Sequence, residues 1–309
     1  MRSFLSLSTY NERMKAVITP QIASNLHLVG DRWTLLILRD LFLGRNRFEA
    51  LQANTGAGRA TLSRRLLSLA EGDMVRKSLY SAARYEYQLT EKGSSLFSAA
   101  MLAWRWELKY MAADSSELPT SLVHHLCGKP LFPEARCHSC ENILTRSEVR
   151  LADDASTFRQ QVMLIKSESK RRKRRQSSNG EDQAMSHIAG LVGDRWSILI
   201  LVAMFFGMAK FDEFLQLLGI ATNILGERLS LLVQYQVVTK QAYQNNPVRY
   251  RYLLTERGED LYGFVMAVWQ WAKTWTDVGE SENGLVHNCG KPLVVDVSCG
   301  ACSSSLSLV

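Results

Sequence analysis

No uninterrupted apolar stretch reaches the ~18 residues needed for a membrane span. The longest runs from Ile198 to Ala209, which suits a buried helix. A secretory leader is also missing: MRSFLSLSTYNERMK turns polar early, and Arg13 and Lys15 follow its apolar residues rather than precede them. The expected location is the cytoplasm, away from any membrane. There is no Gly-rich phosphate loop, no nucleophile elbow, and no acidic pair or Ser/Cys-His arrangement present in both halves. No catalytic residue is therefore expected, and the chain reads as a non-enzyme. With 46% hydrophobic and 22% charged residues, disordered and fibrous classes are excluded, and 309 residues point to about two domains.

Charge is uneven. The formal net charge is +7, yet residues 1–150 hold 20 Lys/Arg against 14 Asp/Glu, whereas residues 188–309 hold 9 against 11. A polyanion is attracted to the first half and nearly indifferent to the second. Most of the excess lies in KSESKRRKRR at 166–175, followed by QSSNGEDQ. Such a block repels itself and builds no core, so it reads as a basic linker with DNA-backbone contact as a secondary role.

The chain repeats itself. Gly30-Asp31-Arg32-Trp33 followed by TLLIL recurs as Gly193-Asp194-Arg195-Trp196 followed by SILIL, an offset of 163. Leu62-Ser63-Arg64-Arg65-Leu66 aligns with Leu225-Gly226-Glu227-Arg228-Leu229 at the same offset. Tyr85 to Gly93 aligns with Tyr250 to Gly258 at 165, and the two extra residues fall where a hairpin tip is expected. CGKPL followed by CxxC occurs at 127–140 and at 289–302. A period this long describes two similar domains in tandem, not a solenoid.

Within the first repeat, Asp31 is an N-cap, and Trp33, Leu36, Ile37, Leu41 and Leu43 return at helical spacing until Gly44. Phe48-Glu49-Ala50-Leu51 begins a second helix, NTGAG breaks it, and Arg59 to Leu69 forms a third. This is a helix-turn-helix. Val75–Tyr80 and Arg84–Leu89 make a hairpin, and Thr90 caps one final amphipathic helix through Trp104. The fold class is mainly α with small β-hairpins: two winged helix-turn-helix domains, each followed by a small zinc-ribbon-like, cysteine-rich tail. The expected boundaries are 14–112 and 184–278 for the winged domains, 120–146 and 284–309 for the tails, and 147–183 for the basic linker.

GDRW(T/S)xLIL, the RxxLSxRL-like third helix, RYxYxLTExG and the trailing HxxCG…CxxC element together resemble the HxlR family of bacterial transcriptional regulators. Both repeats match, over roughly residues 14–110 and 184–275. The resemblance implies a regulator that binds double-stranded DNA as a dimer, with two winged helices on a pseudo-palindromic site. Here both copies lie on one chain, so an intramolecular pseudo-dimer is expected, with a homodimer as the other possibility. The family's sensing cysteine near the start of the winged domain has no counterpart, because no cysteine precedes Cys127.

On a helical wheel Leu62, Leu66 and Leu69 form the inward face, Ala60, Arg64 and Leu67 point outward, and Arg59, Thr61 and Ser63 lie between. Arginine suits guanine edges and phosphates, so Arg59, Thr61, Ser63, Arg64 and Arg65 are the candidate DNA contacts. Arg76, Lys77 and Arg84 on the hairpin join them. In the second repeat Leu225, Leu229 and Leu232 turn inward. Asn223 stands at the place of Ala60 and Glu227 at that of Arg64, leaving Asn223, Arg228, Lys240, Arg249 and Arg251 as candidates. DNA contact is expected to be dominated by the first repeat. The alternative is an interaction or effector-sensing protein whose second winged domain serves assembly.

In a reducing compartment, six cysteines at repeated spacing suggest metal ligands rather than disulfides. A histidine before the first cysteine completes a Cys3His set for structural zinc in each tail. The second tail offers His287 with Cys289, Cys299 and Cys302. The first offers Cys127, Cys137 and Cys140 with either His125, by cysteine register, or His124, by the shared LVH flank.

Overall fold

The computed structural model describes residue 17 and residues 20–81, 84–111, 121–152, 185–276 and 284–308. These fall into two compact units, and neither corresponds to one half of the chain. The first-wing unit contains residues 26–81, 84–111, 121–135, 185–195 and 297–308. The second-wing unit contains residues 17, 20–25, 136–152, 196–276 and 284–296. Among the described residues, no helix is long and apolar enough to cross a membrane.

In the first repeat the helices are α1 (Pro20–Val29), α2 (Arg32–Phe42), α3 (Phe48–Thr55) and α4 (Arg59–Glu71). Strands β1 (Val75–Ser81) and β2 (Arg84–Leu89) follow, then α5 (Glu91–Ser94) and α6 (Phe97–Met111). Asp31 caps α2 as expected, its carboxylate accepting from the Trp33 and Thr34 amides at 3.1 and 3.2 Å. Gly56, in the left-handed region at φ 68, ends α3 and turns the chain towards α4. Leu62, Leu66 and Leu69 are fully buried, as the wheel requires, and Ala60, Arg64 and Leu67 are exposed. β1 and β2 pair antiparallel, with Val75 opposite Leu89. The Tyr87 amide donates to the Asn46 carbonyl at 2.8 Å, tying the wing to the start of α3. The expected single closing helix is instead two: Thr90 caps only the short α5, and the chain restarts at Phe97.

The first-wing unit also holds α7 (Ser186–Val192), the opening helix of the second repeat, packed on α2 and α6. Here the two GDRW segments meet. Asp31 and Asp194 form an antiparallel backbone bridge. A Cβ on Gly30 would lie 2.7 Å from the Arg195 amide nitrogen, and one on Gly193 would lie 2.8 Å from Arg32 Cα. Only glycine permits that approach from either side.

The second-wing unit repeats the pattern with α8 (Arg195–Phe205), α9 (Phe211–Leu218), α10 (Thr222–Gln234), β5 (Val238–Asn245), β6 (Val248–Leu254), α11 (Glu256–Glu259) and α12 (Tyr262–Thr274). The extra pair of residues sits at the hairpin tip, Asn246 and Pro247 lying between β5 and β6. Every α8 residue from Trp196 to Phe205 is buried, consistent with its nearly unbroken apolar sequence. This unit in turn receives the opening segment of the first repeat. The Trp269 indole donates to the Val17 carbonyl at 2.7 Å, and the Asn25 amide donates to the Ala272 and Trp275 carbonyls at 2.9 and 2.8 Å. Each unit thus combines the winged body of one repeat with opening residues of the other.

The tails are divided as well. β3 (Pro133–Cys137) and β8 (Val295–Cys299) each begin in one unit and end in the other. β4 (Val149–Leu151) pairs antiparallel with β7 (Leu285–His287) inside the second-wing unit. The first tail therefore keeps regular structure into residues 147–152, within the stretch expected as linker.

Candidate functional site

Two sets of residues carry chemistry: the outward faces of α4 and α10 with their wings, and the cysteine-histidine clusters of the tails.

On α4, Arg59, Ser63 and Arg64 are exposed and Thr61 is half-buried. The Arg59 guanidinium stacks over the Phe48 ring at 5.1 Å. Arg65 is placed differently. Its Nη2 donates to Asp31 Oδ2 at 2.6 Å, with about a quarter of each side chain exposed, so it links α4 to the cap of α2. Arg76, Lys77 and Arg84 are all exposed on the wing, with the Lys77 ammonium 3.7 Å from the centre of the Tyr85 ring. On α10, Asn223 and Glu227 are exposed and Arg228 is half-buried. Lys240 lies 3.8 Å from the Tyr250 ring centre, the Arg251 Nε donates to Gln241 at 2.8 Å, and Arg249 is 3.6 Å from Asp212. The second wing's basic side chains are thus partly engaged with neighbours of its own unit.

Arg47 and Lys210, which are not among the candidates above, belong to these surfaces as well. Both are exposed at the caps of α3 and α9, and they stack over Tyr80 and Tyr243 on their wings at 4.7 and 5.3 Å. Their alignment at the repeat offset of 163 was the available signal.

The cysteines are grouped across the tails, which corrects the expectation of one ligand set per tail. One cluster, in the first-wing unit, is His124, Cys127, Cys299 and Cys302; the other, in the second-wing unit, is Cys137, Cys140, His287 and Cys289. In each, the ligand atoms all lie within 4.8 Å of one another. His124 Nδ1 is 3.4 Å from Cys127 Sγ and 3.3 Å from Cys302 Sγ, and His287 Nδ1 is 3.5 Å from Cys140 Sγ. His125 is exposed and belongs to neither cluster, so between the two histidines of the first tail the geometry selects His124. His138 is exposed as expected, though its Nδ1 reaches Asp296 at 2.6 Å.

Each cluster is made of two short turns. The His124–Cys127 turn closes through Gly128 N–H to the His124 carbonyl, and the Cys137–Cys140 turn through Glu141 N–H to the Cys137 carbonyl. Gly290 N–H to His287 and Ser303 N–H to Cys299 close the other two. All four turns end in a residue of positive φ: Gly128, Glu141, Gly290 and Ser303. The reason for the cross-tail grouping is distance. Within each tail the two turns flank a five-residue strand, β3 or β8, and such a strand spans on the order of 15 Å.

A zinc ion with nitrogen and sulfur ligands at tetrahedral angles sets an N···S edge of about 3.5 Å. The observed 3.3, 3.4 and 3.5 Å match it, and Cys3His is a donor set that zinc accepts. Glu148 Oε2 stands 3.8 Å from His287 Nε2, on the far side of the ring from Cys140. At that separation the carboxylate faces the ring as a charge and not as a hydrogen-bond acceptor. Thiolate character favours metal binding. The Ser304 hydroxyl pulls the Cys302 thiol down to about 6, and His287 pulls Cys289 down to about 7, while burial raises that of Cys137.

Comparison with known proteins agrees with the doubled pattern. A family model described as HxlR-like helix-turn-helix matches residues 28–115 and again 191–280, together more than half of the chain. An uncharacterised HTH-type transcriptional regulator of Mycobacterium tuberculosis is 41% identical over 126 residues, covering 40% of this chain and 79% of the relative. The HTH-type transcriptional regulator YodB of Bacillus subtilis is 31% identical over 98 residues, 31% of this chain and 88% of the relative. The solved structure of PA1374, a proposed transcription factor from Pseudomonas aeruginosa, is 35% identical, covers 38% of this chain and 81% of its own, and has a TM-score of 0.32. With the GDRW helices, third helix and wing present twice, the chain belongs to the HxlR-like helix-turn-helix family and carries the family's domain in tandem.

Proposed function

We propose that the protein is a DNA-binding transcriptional regulator that acts through α4 and its wing, with α10 and its wing as the weaker partner. The observation that carries this reading is the contrast between the third helices. α4 exposes Arg59 and Arg64 beside a wing bearing Arg76, Lys77 and Arg84, whereas α10 exposes Glu227 at the place of Arg64. Arginine can grip guanine or phosphate; a carboxylate repels phosphate and can only accept, from a base amino group such as that of cytosine. Arg65 is counted as a supporting residue, since Asp31 already holds it.

The exchange of opening segments supports an intramolecular pseudo-dimer, because neither unit is complete without residues of both repeats. The donor sets and their edge lengths support structural zinc as the metal. A ligand set of four protein groups leaves no open position for a substrate, so the metal sites read as structural and not catalytic; the protein acts in the cytoplasm as a binding protein. We assign winged domains to 14–112 and 184–278, tails to 120–146 and 284–309 and a linker to 147–183, with β4 extending the first tail and residues 153–183 of the linker outside the described residues. Glu227 also favours a second reading, in which the second winged body serves assembly. In-vitro selection of bound duplex fragments followed by footprinting separates them. Unequal half-sites protected by one chain support the regulator with two working helices, one protected half-site supports the assembly role, and the absence of any enriched sequence refutes both DNA readings.

A further inference from the structure

We propose that each cluster binds one zinc-class divalent cation as a clasp between the two tails, so that neither tail holds a metal by itself. The inference rests on the zinc reading above and goes beyond it by assigning which ligands share an ion. The first site takes H-x2-C from the first tail (His124, Cys127) and C-x2-C from the second (Cys299, Cys302). The other takes C-x2-C from the first tail (Cys137, Cys140) and H-x-C from the second (His287, Cys289). Both sites are Cys3His, both bring the imidazole in through Nδ1, and each draws two ligands from either tail.

A set confined to one tail is excluded by β3 and β8. Their length of on the order of 15 Å separates ligand turns that would have to lie within about 4 Å of each other around one ion. The clasp therefore forms only when residues more than 140 positions apart in sequence have met, as the Cys140–His287 and Cys302–His124 pairs do at separations of 147 and 178. Metal uptake and closure of the tails become one event. Loss of any ligand of a cluster frees a turn of each tail at that end, while the other site keeps its full set.

The grouping is read directly in the unmodified full chain loaded with 113Cd, a zinc substitute that couples to cysteine β-protons. The expected spectrum has two cadmium resonances, one correlated with Cys127, Cys299 and Cys302 and the other with Cys137, Cys140 and Cys289. Correlation of one resonance with Cys127, Cys137 and Cys140 overturns the proposal. Metal content of double variants gives an independent readout. Cys127→Ser with Cys302→Ser should retain one of two bound zinc ions, and Cys127→Ser with Cys137→Ser should retain neither. The reverse pattern also overturns the shared sites. Failure of the unmodified, reduced protein to hold any zinc or cadmium would instead refute the zinc reading itself.

Discussion

Helices α2 and α8 occupy equivalent places in the two winged bodies and share the sequence RW(T/S)xLIL, yet they diverge immediately afterwards. In α2 the next two residues are Arg39 and Asp40, 5% and 0% exposed; in α8 they are Val202 and Ala203, both fully buried. Asp40 Oδ1 accepts from Arg39 Nε and Nη2 at 3.0 and 2.8 Å and from Arg45 at 3.2 Å, and Arg39 also donates to the Asn54 carbonyl at the end of α3. One fold can therefore centre on a buried ion pair or on aliphatic side chains. The ion pair gives orientation to α3, and through it to α4; the aliphatic version gives packing alone.

The largest test of that contrast is to break the pair. Asp40→Ala should destabilise the first-wing unit by about 3–5 kcal/mol, because the Arg39 guanidinium is left buried, and Arg39→Ala by less, because Arg45 still faces the Asp40 carboxylate. Replacing both by the residues of α8, Val and Ala, should cost less than either single change. Chemical denaturation of the four proteins decides it, and additive losses would show that the pair is not a coupled unit.

A second contrast lies in how each unit grips the other repeat's opening residues. Glu107 on α6, fully buried, accepts from the Ile188 amide at the start of α7 at 2.8 Å; its counterpart on α12 is Ala272, whose carbonyl receives the uncharged Asn25 amide. Burial raises the Glu107 carboxyl from 4.5 to about 7. Between those values the folded chain keeps a proton that the unfolded chain has released, so stability falls as pH rises through this window, by up to about 3 kcal/mol, and is level above it. Glu107→Gln should remove that slope in pH-dependent melts. Asn25→Ala should leave the slope intact and lower stability by about 1 kcal/mol at every pH.

On DNA, Arg64→Ala should weaken binding by roughly 1–3 kcal/mol, and Glu227→Arg should strengthen it. Titration of the selected duplex measures both, and equal sensitivity of α4 and α10 to alanine would erase the proposed division of labour. Arg65→Ala is expected to lower thermal stability as well, since it frees Asp31. The smallest effect belongs to the wings. Arg84→Ala should reduce affinity by under about 1 kcal/mol and flatten its salt dependence, and Arg249→Ala by less, because Asp212 already neutralises part of its charge.

Much of this was legible in the sequence for a local reason. Asp31, Gly56 and the Leu62-Leu66-Leu69 stripe act within one or two helical turns, so spacing alone places α2, the turn and the buried face of α4. The ligand types were legible too, and the one open choice, His124 or His125, needed only the burial of one ring. What spacing could not convey was partnership. An apolar stripe states that a helix face is covered, and α7 shows that the cover can come from the other repeat. The regular ten-residue gap between cysteines suggested a closed set in each tail, but the intervening residues form strands, which hold the ends of each set apart.

The traded opening segments bear on how the polypeptide is made. Synthesis runs from the N-terminus, and domains commonly fold as soon as their last residue leaves the ribosome. The first winged body finishes at Met111, yet the helix that covers α2 and α6 spans Ser186–Val192, and two of the ligands in its cluster, Cys299 and Cys302, lie more than a hundred residues further on. The nascent first winged body therefore keeps the faces of α2 and α6 that α7 covers exposed until at least residue 192 has been made. Premature termination anywhere before α7 would release a fragment lacking its own lid.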